Sequence, residues 1–201
     1  MKRAGLAIVL LAVLTATILW GAGRSRRAEV NRLTELLPLR EGMTVAEIGA
    51  GSGWLTVEVA RRIGRSGRVY STELSATRLD DIRQAVQEAG LDNVTVLEAG
   101  ERTTNLSPDC CDAIFMRRVY HHLGDPSSIL TSIYRALRPG GRFAIIEFRA
   151  GGLIGMVTGM GIDQAPLVDT VTASGFKLVT AEDWPGWDHY VAVFEKQSET
   201  R

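Results

Sequence analysis

The residues best placed to do chemistry lie in one run, Val45-Ala46-Glu47-Ile48-Gly49-Ala50-Gly51-Ser52-Gly53-Trp54, where an apolar stretch ends in three alternate glycines. Glycines at a strand-to-helix turn let the backbone bend sharply and approach a ligand, and free N–H groups at the start of the next helix favour an anionic or polar group. A dinucleotide fingerprint, G-x-G-x-x-G, needs glycine at 49, 51 and 54, but position 54 is Trp. The pattern is instead E-x-G-x-G-x-G, with Glu47 two residues before the first glycine. About twenty residues further on, Glu73 ends the segment Tyr70-Ser71-Thr72-Glu73-Leu74, where a carboxylate can accept both hydroxyl hydrogens of a ribose. Two carboxylates around a glycine turn describe a crevice for a nucleoside bearing a cationic amino-acid tail. A solvated strand-end acid is the other reading of Glu73.

A second group is Arg117-Arg118-Val119-Tyr120-His121-His122. His121 or Tyr120 could take a proton or orient an acceptor, or the paired histidines could cap a turn or pack on the sheet. Arg117 and Arg118 offer forks of donors to an acidic or phosphorylated group, or lie on the surface. Trp184 and Trp187, beside Pro185, suit either a pocket wall or a packed hairpin turn. Cys110 and Cys111 are adjacent, so they cannot staple distant parts of a domain. They read as ordinary thiols at the start of a strand, with a vicinal redox pair as the alternative. Neither Cys-x-x-Cys nor a His/Cys cluster at zinc spacing is present, so no metal is expected.

These residues must be positioned by alternating elements. Apolar residues at Val30, Leu33, Leu36 and Leu37 have helical spacing up to Pro38. Then come strand 44–48, helix 54–63, strand 68–72, helix 75–89 closed by Gly90, strand 94–97, strand 113–116, helix 127–137 and strand 142–148. Strands alternating with helices of this length imply right-handed βαβ units and a doubly wound, mostly parallel α/β sheet. The glycine-rich, apolar run 151–161 reads as a mobile connection or lid, too short to span a bilayer. A helix at 165–174 and strands 177–180 and 190–195 complete the pattern, the last two forming an antiparallel pair.

Taken together, VAEIGAGSGW, STEL, DAIFMRRVYHHL, LRPGGRFAIIEF, SGFKLV and HYVAVFEK resemble the class I S-adenosylmethionine-dependent methyltransferases, from about Leu36 to Lys196. The resemblance implies a seven-stranded Rossmann-like sheet whose last hairpin supplies the one antiparallel strand, and S-adenosylmethionine as cofactor. It places Glu47, Gly49, Ala50, Gly51, Gly53 and Trp54 around the methionine end, Glu73 on the ribose and Leu74 near adenine, with Arg117 at the same crevice. One departure concerns adenine. Where the family commonly has an acid beside a small residue, this chain reads Leu97-Glu98-Ala99-Gly100-Glu101, so Gly100 holds the acid's place and Glu101 could substitute by a one-residue shift. Methyl transfer from a sulfonium is an in-line displacement whose leaving group becomes neutral, so alignment supplies much of the rate. Tyr120 and His121 are the candidate catalytic residues. The Asn-Pro-Pro-Tyr signature of nucleobase and amide methylation is absent, which favours a small or lipid-like acceptor.

The chain has 201 residues and a formal net charge of zero, with 23 basic and 23 acidic side chains. The zero is a sum of unlike parts: Lys2, Arg3, Arg24, Arg26 and Arg27 precede the first acid, Glu29, leaving a body near −5. An acidic body argues against a nucleic-acid partner. Between Arg3 and Arg24 lies the uncharged run AGLAIVLLAVLTATILWGAG, as a helix about 30 Å long. Residues 1–27 therefore read as an N-terminal membrane anchor, with a cleaved signal peptide as the alternative, and residues 28–201 as the methyltransferase domain. The run exceeds the usual ~7–15 residues of a signal's apolar core, which favours the anchor. The cofactor is made in the cytosol, so an anchored domain is expected on the cytoplasmic side, and a cleaved one would be exported. Two other functions compete: a non-catalytic S-adenosylmethionine-binding scaffold or sensor, favoured by Gly100, and a nicotinamide-dependent oxidoreductase, disfavoured by Trp54.

Overall fold

A computed structural model describes residues 25–185 and 188–197. The expected anchor lies outside them except for its last three residues. Among the described residues no helix is long and apolar enough to cross a membrane.

The described chain opens with helix α1, residues 25–36. It continues through β1 (Thr44–Ile48), α2 (Trp54–Ile63), β2 (Arg68–Glu73), α3 (Ala76–Glu88), β3 (Val94–Glu98) and β4 (Cys111–Arg117). A 3-10 turn (Tyr120–His122) follows, then α4 (Pro126–Ala136), β5 (Leu137–Phe148), α5 (Leu153–Thr158), α6 (Gln164–Ala173), β6 (Phe176–Asp183) and β7 (His189–Lys196). The seven strands form one sheet in the order β3-β2-β1-β4-β5-β7-β6. Strands β1 to β5 pair in parallel, and β7 runs antiparallel to both β5 and β6. The chain reverses its direction of travel across the sheet between β1 and β4, which opens a crevice at the carboxyl ends of those strands.

The period-two alternation of each strand sorts its apolar side chains into two cores. On β4, Ile114 and Met116 join Ile129, Ile133, Phe143, Leu167 and Phe194 on the face that α4 and α6 cover. Ala113 and Phe115 join Leu33, Leu37, Val45, Leu55, Ile63 and Val193 on the face that α1 and α2 cover. The start of α4 is held by Asp125, whose carboxylate accepts from the Ser128 N–H at 3.0 Å, with Pro126 at the first helical position.

Two segments differ from the sequence reading. The glycine-rich run contains a short helix, α5, ended by Gly159 in the left-handed conformation (φ 71°), with Leu153, Met156 and Val157 each at least 70% exposed. Strand β5 starts five residues early, because Leu137 pairs with Cys111 across a register shift that absorbs Pro139 and the two glycines after it. Cys111 is buried at the start of β4, Cys110 is half-buried, and both are free thiols.

Candidate active site

The glycine turn is built by three left-handed residues: Gly49 (φ 69°), Gly51 (59°) and Gly53 (73°). The Gly49 and Ala50 N–H groups donate to the Thr72 carbonyl at 2.9 and 3.1 Å, which ties the turn to the end of β2. The three glycines have different tasks. A Cβ on Gly49 would sit 2.5 Å from Val119 Cγ2, and one on Gly53 would sit 3.1 Å from the Ile82 backbone, so those two glycines allow close packing. A Cβ on Gly51 would meet nothing within 4 Å and would project into the crevice.

That crevice is a cavity of about 1290 Å³. Of the residues singled out in the sequence, it is lined by Glu47, Gly49, Ala50, Gly51, Trp54, Glu73, Leu74, Gly100, Glu101 and Arg117; Gly53 stands behind the wall. Arg118 and His122, both part of the second group read in the sequence, line it as well, and Ser52, Arg78, Arg102, Thr103 and Ile129 do so without a separate signal in the sequence. On the adenine side, Gly100 is locked by a reciprocal pair of backbone bonds with Thr103, and Glu101 is exposed. The two acids differ in environment. Glu47 is buried and accepts from the Thr56 hydroxyl, which also contacts the Ser71 hydroxyl at 2.8 Å. Burial pushes its carboxyl up to about 8, against the pull of the Thr56 hydrogen bond and the Arg117 charge. Glu73 caps its own turn, accepting from the Gly51 N–H at 3.0 Å and the Leu74 N–H at 2.8 Å. A carboxylate and a left-handed glycine thus meet over open space, and this arrangement fits a ribose lying across the end of β2.

At the end of β4, Arg117 is committed to the scaffold. It donates to both oxygens of the buried Glu29 on α1, at 2.6 and 3.1 Å, and Trp184 Nε1 donates to the same carboxylate at 3.2 Å. Trp184 is therefore a packed residue, while Trp187 lies outside the described residues. Arg118 has a left-handed backbone (φ 59°), donates to His189 Nε2 at 2.8 Å and lies over the Phe148 ring. Burial, then Arg117, lowers its pKa. Tyr120 is buried, and burial raises its pKa. His121 Nδ1 lies 2.8 Å from Glu147, a carboxylate with no exposed surface at the end of β5. Neither Tyr120 nor His121 lines the cavity as His122 does, although the two histidine rings are 4.0 Å apart. Among the described residues no cluster of acids, histidines and cysteines could hold a metal.

Sheet order, antiparallel β7, and a glycine turn facing two strand-end acids define a Rossmann-like methyltransferase. Residues 46–145 match the family described as a methyltransferase domain. The chain belongs to the class I S-adenosylmethionine-dependent methyltransferases, whose cofactor is S-adenosylmethionine. Among curated proteins it is similar to the ubiquinone/menaquinone biosynthesis C-methyltransferase UbiE of Klebsiella pneumoniae, 30% identical over 111 residues, or 55% of this chain and 44% of that one. The UbiE of Pectobacterium atrosepticum is 29% identical over the same length. The match thus spans less than half the length of these relatives. Among solved structures, an S-adenosylmethionine-dependent methyltransferase from Aquifex aeolicus superposes with a TM-score of 0.77 at 22% identity, over 84% of this chain and 89% of that one. The [4+2]-cyclase SpnF superposes with a TM-score of 0.74 at 16% identity, over 84% of this chain and 79% of that one. At these identities the superpositions speak for the fold alone.

Proposed function

We propose that this methyltransferase acts on a ring carbon of a reduced, quinone-like lipid at a membrane surface, the N-terminal run serving as anchor and the domain facing the cytoplasm. The observation that carries the acceptor class is the exposed apolar surface of α5, Leu153, Met156 and Val157, which follows the carboxyl end of β5, the neighbour of β4 in the sheet. The partial likeness to quinone C-methyltransferases points the same way. In carbon methylation an electron-rich ring carbon attacks the methyl group, the carbon–sulfur bond breaks with its electron pair going to sulfur, and the ring carbon then loses a proton. A proton acceptor is therefore required, and His121, its Nδ1 facing Glu147, is our candidate, with Tyr120 as the alternative.

Label transfer from methyl-labelled S-adenosylmethionine to a prenylated 1,4-naphthohydroquinone in vesicles tests the reading. Label is expected on a ring carbon; label on oxygen, or none, would refute it. A non-catalytic cofactor-binding scaffold remains the second reading, because Gly100 stands where the adenine-binding acid is common and neither candidate base lines the cavity. Cofactor binding without label transfer to any membrane-extractable acceptor would establish that alternative.

A further inference from the structure

Behind the cofactor crevice, α1 and α2, with the end of α3 closing one side, form a second cleft of about 790 Å³ that the methyl-transfer chemistry does not use. Its rim carries Arg26 and Arg27 from α1 and Arg61 and Arg62 from α2, against the carboxylates of Glu58 and Glu88. All four arginines are exposed. Arg61 is paired with Glu58 at 3.0 Å, and Arg26 lies over the Trp54 ring at 5.3 Å. Arg27 and Arg62 enter no salt bridge among the described residues. Val30, Trp54 and Val57 make the floor apolar. Trp54 also lines the cofactor crevice, where Arg117 lies over the same ring at 5.5 Å, so one indole separates the two cavities.

Clustered guanidinium groups over an apolar floor suit a ligand with an anionic head and an apolar body. The sequence says where such a ligand would come from. The uncharged run 4–23 ends at Arg24, and Arg26 and Arg27 follow at once, so the cleft adjoins a segment of bilayer length. Basic residues just outside such a segment face the anionic lipids of the cytoplasmic leaflet. We infer that the α1–α2 cleft binds the phosphate headgroup of an anionic glycerophospholipid. The bound lipid fixes the orientation of the domain on the membrane, with Trp54 and the crevice at the interface. The inference rests on the membrane reading proposed above.

The test uses the full-length chain in a neutral detergent. It is titrated by calorimetry with short-chain phosphatidylglycerol, short-chain phosphatidylcholine and inorganic phosphate. Phosphatidylglycerol is expected to bind most tightly, with an affinity that falls as salt rises. In Arg27→Gln/Arg62→Gln that affinity should drop about fivefold for each guanidinium removed, while S-adenosylmethionine affinity stays unchanged. Equal binding of the two lipids, inorganic phosphate matching phosphatidylglycerol, or an unaltered double variant would overturn the cleft assignment. The anchor is tested separately by alkaline carbonate extraction of membranes carrying the chain. Retention supports the membrane reading, whereas release refutes it and leaves the titration to speak for the cleft alone.

Discussion

Glu47 illustrates how one residue can set a cost and a function together. Its carboxyl is buried against Thr56, and burial pushes its pKa up to about 8 from the 4.5 of a free side chain. In the cofactor-free protein it is therefore neutral at pH 7, whereas in the unfolded chain it is ionised. Below pH 4.5 both states hold the proton and the group does not affect stability. As pH rises from 4.5 to about 8 only the unfolded chain loses its proton, so folding stability falls and the full cost stands above pH 8. Glu47→Gln keeps an acceptor for the Thr56 hydroxyl without the titration. Thermal melts between pH 5 and 8.5 should therefore show the wild type losing stability more steeply than the variant, and the variant melting higher at the alkaline end. It should also bind S-adenosylmethionine at least about tenfold more weakly, since no carboxylate faces the cationic tail. Parallel pH profiles for the two proteins would show that Glu47 is not the titrating group.

At the scale of elements, the glycine turn and the seat of α1 separate packing from binding. Gly53→Ala places a Cβ in a left-handed residue against the Ile82 backbone, and should cost about 2 kcal/mol of stability in urea denaturation. Gly51→Ala faces open space, so it should cost only about 1 kcal/mol while its methyl group narrows the cradle and weakens cofactor binding by about tenfold or more. Equal loss of binding in both, at equal stability, would contradict this division. Glu29→Ala leaves Arg117 buried without its carboxylate and should cost about 3 kcal/mol, detaching α1 from the end of β4. This tie shows where sequence reading stopped. The bounds of β1 and α2 could be read directly, because β1 is a short run buried on both faces that ends at the glycines, and Leu55, Val59 and Ile63 announce the helical period of α2 locally. Glu29 and Arg117 are 88 positions apart, and nothing in either neighbourhood marks a buried ion pair. Glu147 beneath His121 was hidden for the same reason, as was β5 from Leu137, whose pairing with Cys111 is a tertiary contact. The glycine turn was legible because its residues are contiguous, whereas the contacts of Arg118 with His189 and of His121 with Glu147 join the end of β4 to β7 and β5, and only the folded chain assembles them.

At the scale of the whole molecule, the crevice is a joint between the two cores. Its walls come from β1 and α2 on one side and from the turn after β4 and Ile129 of α4 on the other. A ligand that spans it binds the folded chain and not the unfolded one, so it stabilises the entire domain by mass action. At a hundredfold excess over Kd this is about 2.7 kcal/mol, and for a domain of this size the melting temperature should rise by about 5–10 °C. S-adenosylmethionine and its demethylated product should both give the shift, because Glu73, the glycine turn and Leu74 are offered to parts that the two share. NADH should not, since Trp54 stands at the position of the third dinucleotide glycine. Differential scanning fluorimetry with the three compounds is sufficient. A shift with NADH alone would overturn the cofactor assignment. A shift with both sulfur compounds that is single and cooperative would show that the two cores unfold together.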